Sequence, residues 1–271
     1  MLWLTAALAA EPTLEASFSG SVNRVGLNLG LRPGLVVDMP WQQEGDLLFG
    51  EAALKPQLDI VGTPAFSSVG AQLRFEPIAV MDLTPYALGR VYYGNFQTVV
   101  GYDDWDANYG DNDAIAAYVE EEPNRQASGW SFSTGVNGSL KAKAGPVVVV
   151  ANGDISRWWA QSVVAESYDY HFERDREVLM RMGPQGGDTL TQFNGLVLYE
   201  RQMDESRLRA GSITTWRKSW TADDTLLRSG LLVTLDRGPM TYVVLAQPYL
   251  RSRAFNEKLV PFTAIQIKYN R

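Results

Sequence analysis

Residues 129–159 read GWSFSTGVNGSLKAKAGPVVVVANGDISRWW. In the first half, Trp130, Phe132, Val136 and Leu140 share one parity, while Ser131, Ser133, Asn137, Ser139, Lys141 and Lys143 share the other. Successive side chains of a strand point to opposite faces, so this period of two predicts a strand with one apolar and one polar face. Residues 144–146 contain the Gly and Pro that turns favour. The chain then runs back to Trp158 and Trp159 as a second strand.

The same alternation recurs along the chain. Val25, Leu27, Leu29 and Leu31 alternate with Gly26, Asn28, Gly30 and Arg32; Val69, Ala71, Leu73 and Phe75 alternate with Gly70, Gln72, Arg74 and Glu76. Near the end, Ile265, Ile267 and Tyr269 alternate with Ala264, Gln266 and Lys268. The pattern predicts twelve strands, near 14–28, 34–41, 47–61, 66–76, 82–94, 129–143, 147–159, 190–202, 206–216, 225–236, 240–252 and 260–270. Tight connections at 77–82, 144–146, 203–206 and 237–239 alternate with longer ones at 95–128, 160–189, 217–224 and 254–259. Residues 168–176 alternate as well and are expected as a strand extension or hairpin inside a long loop.

Composition narrows the chemistry. The 271 residues are 45% apolar and 20% charged, unlike a disordered polyelectrolyte. The absence of cysteine removes disulfides, thiolate catalysis and Cys-built metal sites. One histidine, His171, excludes a His-rich metal cluster within the chain. With 24 basic against 31 acidic residues the net charge is −7, so no nucleic acid partner is expected. No apolar run is long enough for a spanning helix.

Tight turns at one end of the strands and long loops at the other resemble the Gram-negative outer-membrane β-barrel class (porin-like), over residues 14–271. The resemblance implies an all-β fold, a single antiparallel transmembrane β-barrel of about twelve strands occupying 11–271. It implies residence in the outer membrane of a Gram-negative-type cell envelope, with both termini and the tight turns facing the periplasm. It implies the lipid bilayer, lipopolysaccharide and the outer-membrane assembly machinery as partners, and no cofactor. Residues 1–10 are apolar and contain Ala7-Leu8-Ala9, which reads as a short signal peptide, though one without Lys or Arg. The chain departs from the class in placing its last aromatic, Tyr269, two residues early, and in carrying Pro56, Pro85 and Pro248 in or near strands. A soluble secreted β-barrel or sandwich, with its apolar faces inward, is the competing fold.

Aromatic residues collect at the predicted strand ends, as girdles at the two membrane interfaces would. Tyr92, Tyr93, Trp130, Trp158, Trp159, Trp216 and Tyr249 fall on the long-loop side; Trp41, Phe75, Tyr86, Tyr199, Tyr242 and Tyr269 fall on the tight-turn side. By parity, the lumen face carries Lys55, Arg74, Arg90, Lys141, Lys143, Arg207, Arg209, Arg228, Arg251 and Lys268. The same face carries Glu51, Asp59, Glu76, Asp154 and Asp236. This excess of cations predicts a lumen that favours small anionic solutes.

The remaining motifs are weak. Asp104-x-Asp106-x-Asn108 opens like a Ca²⁺ loop, but the glycine, Gly110, is one position late and Ile115 stands in the twelfth position. A solvated acidic loop is the better reading of 95–128, with a short helix over 114–122 folding over the pore mouth. The twelve-stranded outer-membrane phospholipase family places a serine two positions after its histidine, whereas Phe172 and Glu173 follow His171 here. No catalytic residue is assigned, and His171 is expected to be a surface imidazole between Tyr170 and Glu173. Residues 183–188 are a glycine-rich loop without the Lys of a phosphate cradle. Trp216, Arg217, Lys218 and Trp220 read as an interfacial anchor. The expected function is a narrow or loop-gated channel for small solutes. A non-transporting structural or surface-interaction barrel with a plugged lumen and an outer-membrane lipid-modifying enzyme are the alternatives.

Overall fold

The computed structural model describes residues 10–270 apart from 22–25, 43–45, 47, 49, 51, 107–111, 127, 163–168, 174–175, 182–185 and 254–260. The expected signal segment lies almost wholly outside the described residues. In chain order the elements begin with β1 (Glu11–Ser21), β2 (Gly26–Asp38), β3 (Ala53–Gly62), β4 (Phe66–Ile78) and β5 (Met81–Tyr93). Then come β6 (Val99–Tyr102), helix α1 (Asn112–Glu121), β7 (Ser128–Ala144), β8 (Val147–Ser162), β9 (Tyr170–Glu173) and β10 (Val178–Arg181). The last are β11 (Asp188–Met203), β12 (Ser206–Ser219), β13 (Asp224–Arg237), β14 (Met240–Gln247), β15 (Tyr249–Arg251) and β16 (Phe262–Asn270).

All ladders are antiparallel, and β1 pairs with β16 from Glu15↔Asn270 to Ser21↔Ala264. That pairing closes the sheet into a ring. β14 and β15 are one strand interrupted at Pro248, where the register against β13 shifts between Leu227 and Arg228. The result is a closed antiparallel barrel of twelve strands. β6, β9 and β10 lie outside the ring and form a separate three-stranded sheet.

The two faces of each strand decide between the competing folds. The apolar parity points away from the barrel: Leu27, Leu29, Leu58, Val69, Val136, Ile155, Val197, Leu231 and Val244 are all exposed, Leu231 at 68%. Soluble proteins rarely leave a continuous apolar belt in water, whereas a transmembrane barrel requires one. The apolar faces therefore do not point inward, as the soluble alternative needs.

Several boundaries differ from the sequence expectation. The first two strands are Glu11–Ser21 and Gly26–Asp38, not 14–28 and 34–41. Pro33-Gly34 suggests a break, yet Pro33 pairs with Leu14 and Gly34 with Thr13 inside the ladder. A β-carbon at Gly34 would lie 2.6 Å from Gln57 Cγ, so the strands approach closely there. β3 starts at Ala53, and the connection 39–52 is a long one on the tight-turn end. Ser219 to Asp224 is a tight turn rather than a long loop. Pro56 and Pro85 stand in mid-ladder opposite Leu73 and Val136, while Pro248 is accommodated by the bulge.

Candidate functional site

The inward parity builds a polar lumen whose charges meet in clusters. Near the tight turns, Lys55 lies 2.5 Å and Arg74 2.8 Å from Glu76, and Arg74 and Lys141 both face Asp82 at 3.6 and 3.4 Å. Farther round the ring, Lys143 and Arg209 lie 2.5 and 2.8 Å from Glu200. Arg209 and Arg207 bond Asp236 at 2.9 and 3.1 Å. On the side where β1 meets β2, Arg32 bridges Glu15 at 3.2 Å and Asp59 at 3.0 Å. The tight-turn mouth is thus ringed by alternating charge.

Within and above this ring the lumen holds a cavity of about 550 Å³, lined by Gln57, Gln72, Tyr86, Asn137, Asn152 and Gln192, by Asp154 and Arg176, and by Arg32, Asp59, Arg74, Asp82 and Lys141 of the ring itself. A second cavity of about 230 Å³ is lined by Ser17, Ser19, Asn28, Gln266 and Lys268.

The other end is filled by the chain itself. The sheet of β6, β9 and β10 packs one face, Val100, Tyr102, Phe172 and Leu179, against Ile115 of α1 and Ala222. The opposite face places Val178 and Met180 against Trp158, Leu190 and Leu226 of the barrel wall. The hairpin of β9 and β10 is clasped by side chains. Glu173 pairs with Arg90 and accepts a hydrogen bond from Tyr92 at 2.9 Å. Glu177 accepts from Arg228 at 2.7 Å and from Tyr249 at 2.7 Å. Arg217 donates to the Arg176 carbonyl, and Arg176 stacks 4.4 Å above the Trp158 ring. The Leu179 amide donates to Asp224 at 2.7 Å and the Arg181 amide to Asp188 at 2.9 Å.

His171 is buried in this plug, not at the surface, because β9 is the central strand of its sheet and pairs His171 with Gly101 and Met180. Among the described residues neither ring nitrogen has a hydrogen-bond partner. Burial pulls its pKa down to about 4, opposed by the Asp169 carboxylate.

Of the predicted lumen charges, Lys55, Asp59, Arg74, Glu76, Arg90, Lys141, Lys143, Asp154, Arg207, Arg209, Arg228, Asp236 and Lys268 occupy inward-facing positions. Arg251 does not: the bulge at Pro248 resets the register, and Arg251 stands exposed at the rim opposite Leu227. Glu51 and Asn108 lie outside the described residues. Asp104 and Asp106 are exposed, and among the described residues no three His, Cys, Asp or Glu side chains converge on a metal site.

Four of the expected girdle aromatics face inward. Tyr92 and Trp158 are the inward members of the pairs Tyr92-Tyr93 and Trp158-Trp159, since consecutive residues alternate faces. Tyr86 bonds Asp154 across the lumen wall, and Tyr249 is turned inward to Glu177. Tyr93, Trp130 and Trp159 are exposed toward the loop end, and Trp41, Tyr199 and Tyr242 toward the turn end. Trp216, Phe75 and Tyr269 share the outward parity through pairing with Phe193, Leu54 and Ala16.

Sequence reasoning missed the acids Glu15, Asp82, Glu200, Asp188 and Asp224 and the cations Arg32 and Arg217. Alternation alone would have found Glu15, Asp82 and Glu200, which lie inside predicted strands; Arg32, Asp188, Arg217 and Asp224 lie just outside them. With these counted, nearly every lumen cation has an acid beside it, and the large positive excess read from parity shrinks.

No family model matches the chain, and no curated protein does. Among solved structures, the chain is similar to the NanC porin at 8% identity and TM-score 0.44, over 94% of this chain and 97% of that one. It is similar to the beta domain of the Bordetella autotransporter BrkA at 9% identity and TM-score 0.48, over 97% and 98%. It is also similar to the translocator domain of the autotransporter NalP from Neisseria meningitidis at 11% identity and TM-score 0.36, over 96% and 87%. Likeness at this level assigns no function. By its own geometry the chain is a twelve-stranded transmembrane β-barrel with a structured plug at one mouth, and no narrower family is identified.

Proposed function

We propose that the protein is an outer-membrane channel for small charged solutes, gated by the β9–β10 hairpin. The observation that carries this reading is how the plug is held. Among the described residues its sheet shares no ladder with the barrel wall, so the contacts between them are ion pairs, single hydrogen bonds and small apolar patches. These patches are Val178 and Met180 on Trp158, Leu190 and Leu226, Val99 on Phe66 and Tyr92, and the outer face on Ala222. The hairpin itself is also laddered to β6, so the sheet moves as a unit. Below the hairpin lies a polar cavity of about 550 Å³, not a packed core. Closed barrels expose an apolar belt and interfacial aromatics only where lipid covers them, which supports the membrane setting. In that setting the partners are bilayer lipid, lipopolysaccharide at the loop end and the assembly machinery. Small anionic solutes fit the guanidinium-rich upper lumen.

Purified protein in a planar bilayer tests the reading. Brief, small conductance steps are expected from the native chain, and longer openings from Glu173→Gln with Glu177→Gln. Silence in both eliminates the channel. One observation favours a second reading, a permanently plugged barrel: Val100, Tyr102, Ile115, Phe172 and Leu179 give the plug an apolar core of its own. That barrel stays silent in both proteins.

A further inference from the structure

Three arginines from three separate strands reach the hairpin, Arg90 at Glu173 and Arg217 and Arg228 at Glu177. Arg90 of β5, Arg217 of β12 and Arg228 of β13 are each buried, although burying a guanidinium without an anion is strongly unfavourable. The anions are Glu173 and Glu177, both buried. Each carboxylate meets one arginine and one phenol: Glu173 with Arg90 and Tyr92, Glu177 with Arg228 and Tyr249. Arg217 lies 3.8 Å from Glu177, and Arg176 lies 3.7 Å from Glu173. The wall groups belong to rigid strands, while both carboxylates belong to an inserted hairpin outside the barrel ladder. If the hairpin withdraws, the wall is left with three guanidiniums and two phenol donors pointing at a space from which two carboxylates have gone. Planar guanidiniums with adjacent hydroxyls are suited to carboxylate and phosphate oxygens.

We propose that these groups form a two-part binding site for small oxyanions of the phosphate or carboxylate class, with Arg90 and Tyr92 at the Glu173 position and Arg217, Arg228 and Tyr249 at the Glu177 position. Glu173 and Glu177 fill this site as internal substitutes when the hairpin is seated. The proposal rests on the channel reading for its physiological sense, and it names the solute class of that channel. The hairpin and a free oxyanion compete for the same donors, so binding of one favours release of the other.

The cysteine-free chain permits a direct test. Met180 is wholly buried between hairpin and wall. In the full-length Met180→Cys protein in zwitterionic micelles, the rate of modification by a small maleimide reports hairpin release. Inorganic phosphate should raise that rate about tenfold over chloride at equal ionic strength, a shift of the size expected for a competing ligand. Adding Arg228→Gln should raise the rate in chloride and remove most of the phosphate response. An arginine that merely braces the fold would raise the rate and leave the response intact, which overturns the proposal. No phosphate effect on Met180→Cys alone also overturns it. Acceleration only by micelles doped with phosphatidylglycerol overturns the free-solute form. If the Arg228 variant fails to fold, the native chain decides: phosphate must lower the temperature at which the plug becomes protease-sensitive. Phosphate-driven labelling without conductance would uphold the site and sink the channel, and conductance without a phosphate effect would do the reverse.

Discussion

The ring of Tyr86 covers Gly135 on the neighbouring strand: a β-carbon built at Gly135 would lie 2.8 Å from Tyr86 Cζ. The phenol hydroxyl continues to Asp154 on the next strand at 3.0 Å. One side chain thus ties β5, β7 and β8 together across the lumen wall. Gly135→Ala would crowd the Ile155 carbonyl at 2.7 Å and Ser156 Cβ at 2.8 Å as well as the ring, and should cost about 1–3 kcal/mol, as overpacking does. Tyr86→Phe keeps the ring and loses one hydrogen bond, at about 1 kcal/mol. Urea titration of the refolded protein in micelles, followed by heat-modifiable gel migration, should rank Gly135→Ala as the less stable.

Leu231 is 68% exposed on the outward face, opposite Ser212 and Ala246. Arginine there, at membrane depth, should cost about 2–4 kcal/mol. Asn152→Arg, which points into the larger cavity, should cost far less. Assembly yield into vesicles should fall for Leu231→Arg only. Equal yields would argue against lipid on the outer face.

The plug should loosen in acid. His171 has a folded pKa lowered to about 4 from 6.5, so the packed plug refuses a proton that the released plug accepts. Above pH 6.5 there is no penalty. Between pH 6.5 and 4 the packed form loses about 1.4 kcal/mol per pH unit, about 3 kcal/mol in all. Protease sensitivity of the plug should therefore rise across that window in the native protein and stay flat in His171→Leu. A native profile that is flat from pH 7 to 4 would refute the assignment.

Ion selectivity should be mild in the native channel, because Lys141 and Lys143 already face Asp82 and Glu200. Lys141→Glu with Lys143→Glu leaves those acids beside new acids. Under a salt gradient, the reversal potential should move clearly toward cations. A strongly anion-selective native protein would mean that the pairs seen at the mouth do not neutralise one another.

The barrel was legible because its code is local. Period-two runs such as 129–143 reveal both the strand and its outward face, and tight turns such as Gly145-Pro146 reveal the connections. Local signals misled where a turn-forming pair lay inside a ladder, at Pro33-Gly34, and where consecutive aromatics divided between two faces, at Trp158-Trp159. The plug was not legible for a different reason. The hairpin was anticipated from the alternation in 168–176, but Glu173 and Glu177 find their partners 83 and 51 residues away, at Arg90 and Arg228. No spacing rule links positions so distant, and an acid in a loop reads as solvated until the wall facing it is known.

The seam between β1 and β16 also governs how the molecule can be made. Glu15 meets Asn270 across it, so the two strands farthest apart in sequence are the ones that complete the ring. Contacts of such long range form slowly, since a long loop must close before any pairing repays it. Until they form, the nascent sheet has two unpaired borders, each able to capture another chain. Ordering of this protein is therefore a race between ring closure and self-association, and a shielded site where the first strand can wait for the last would decide the winner.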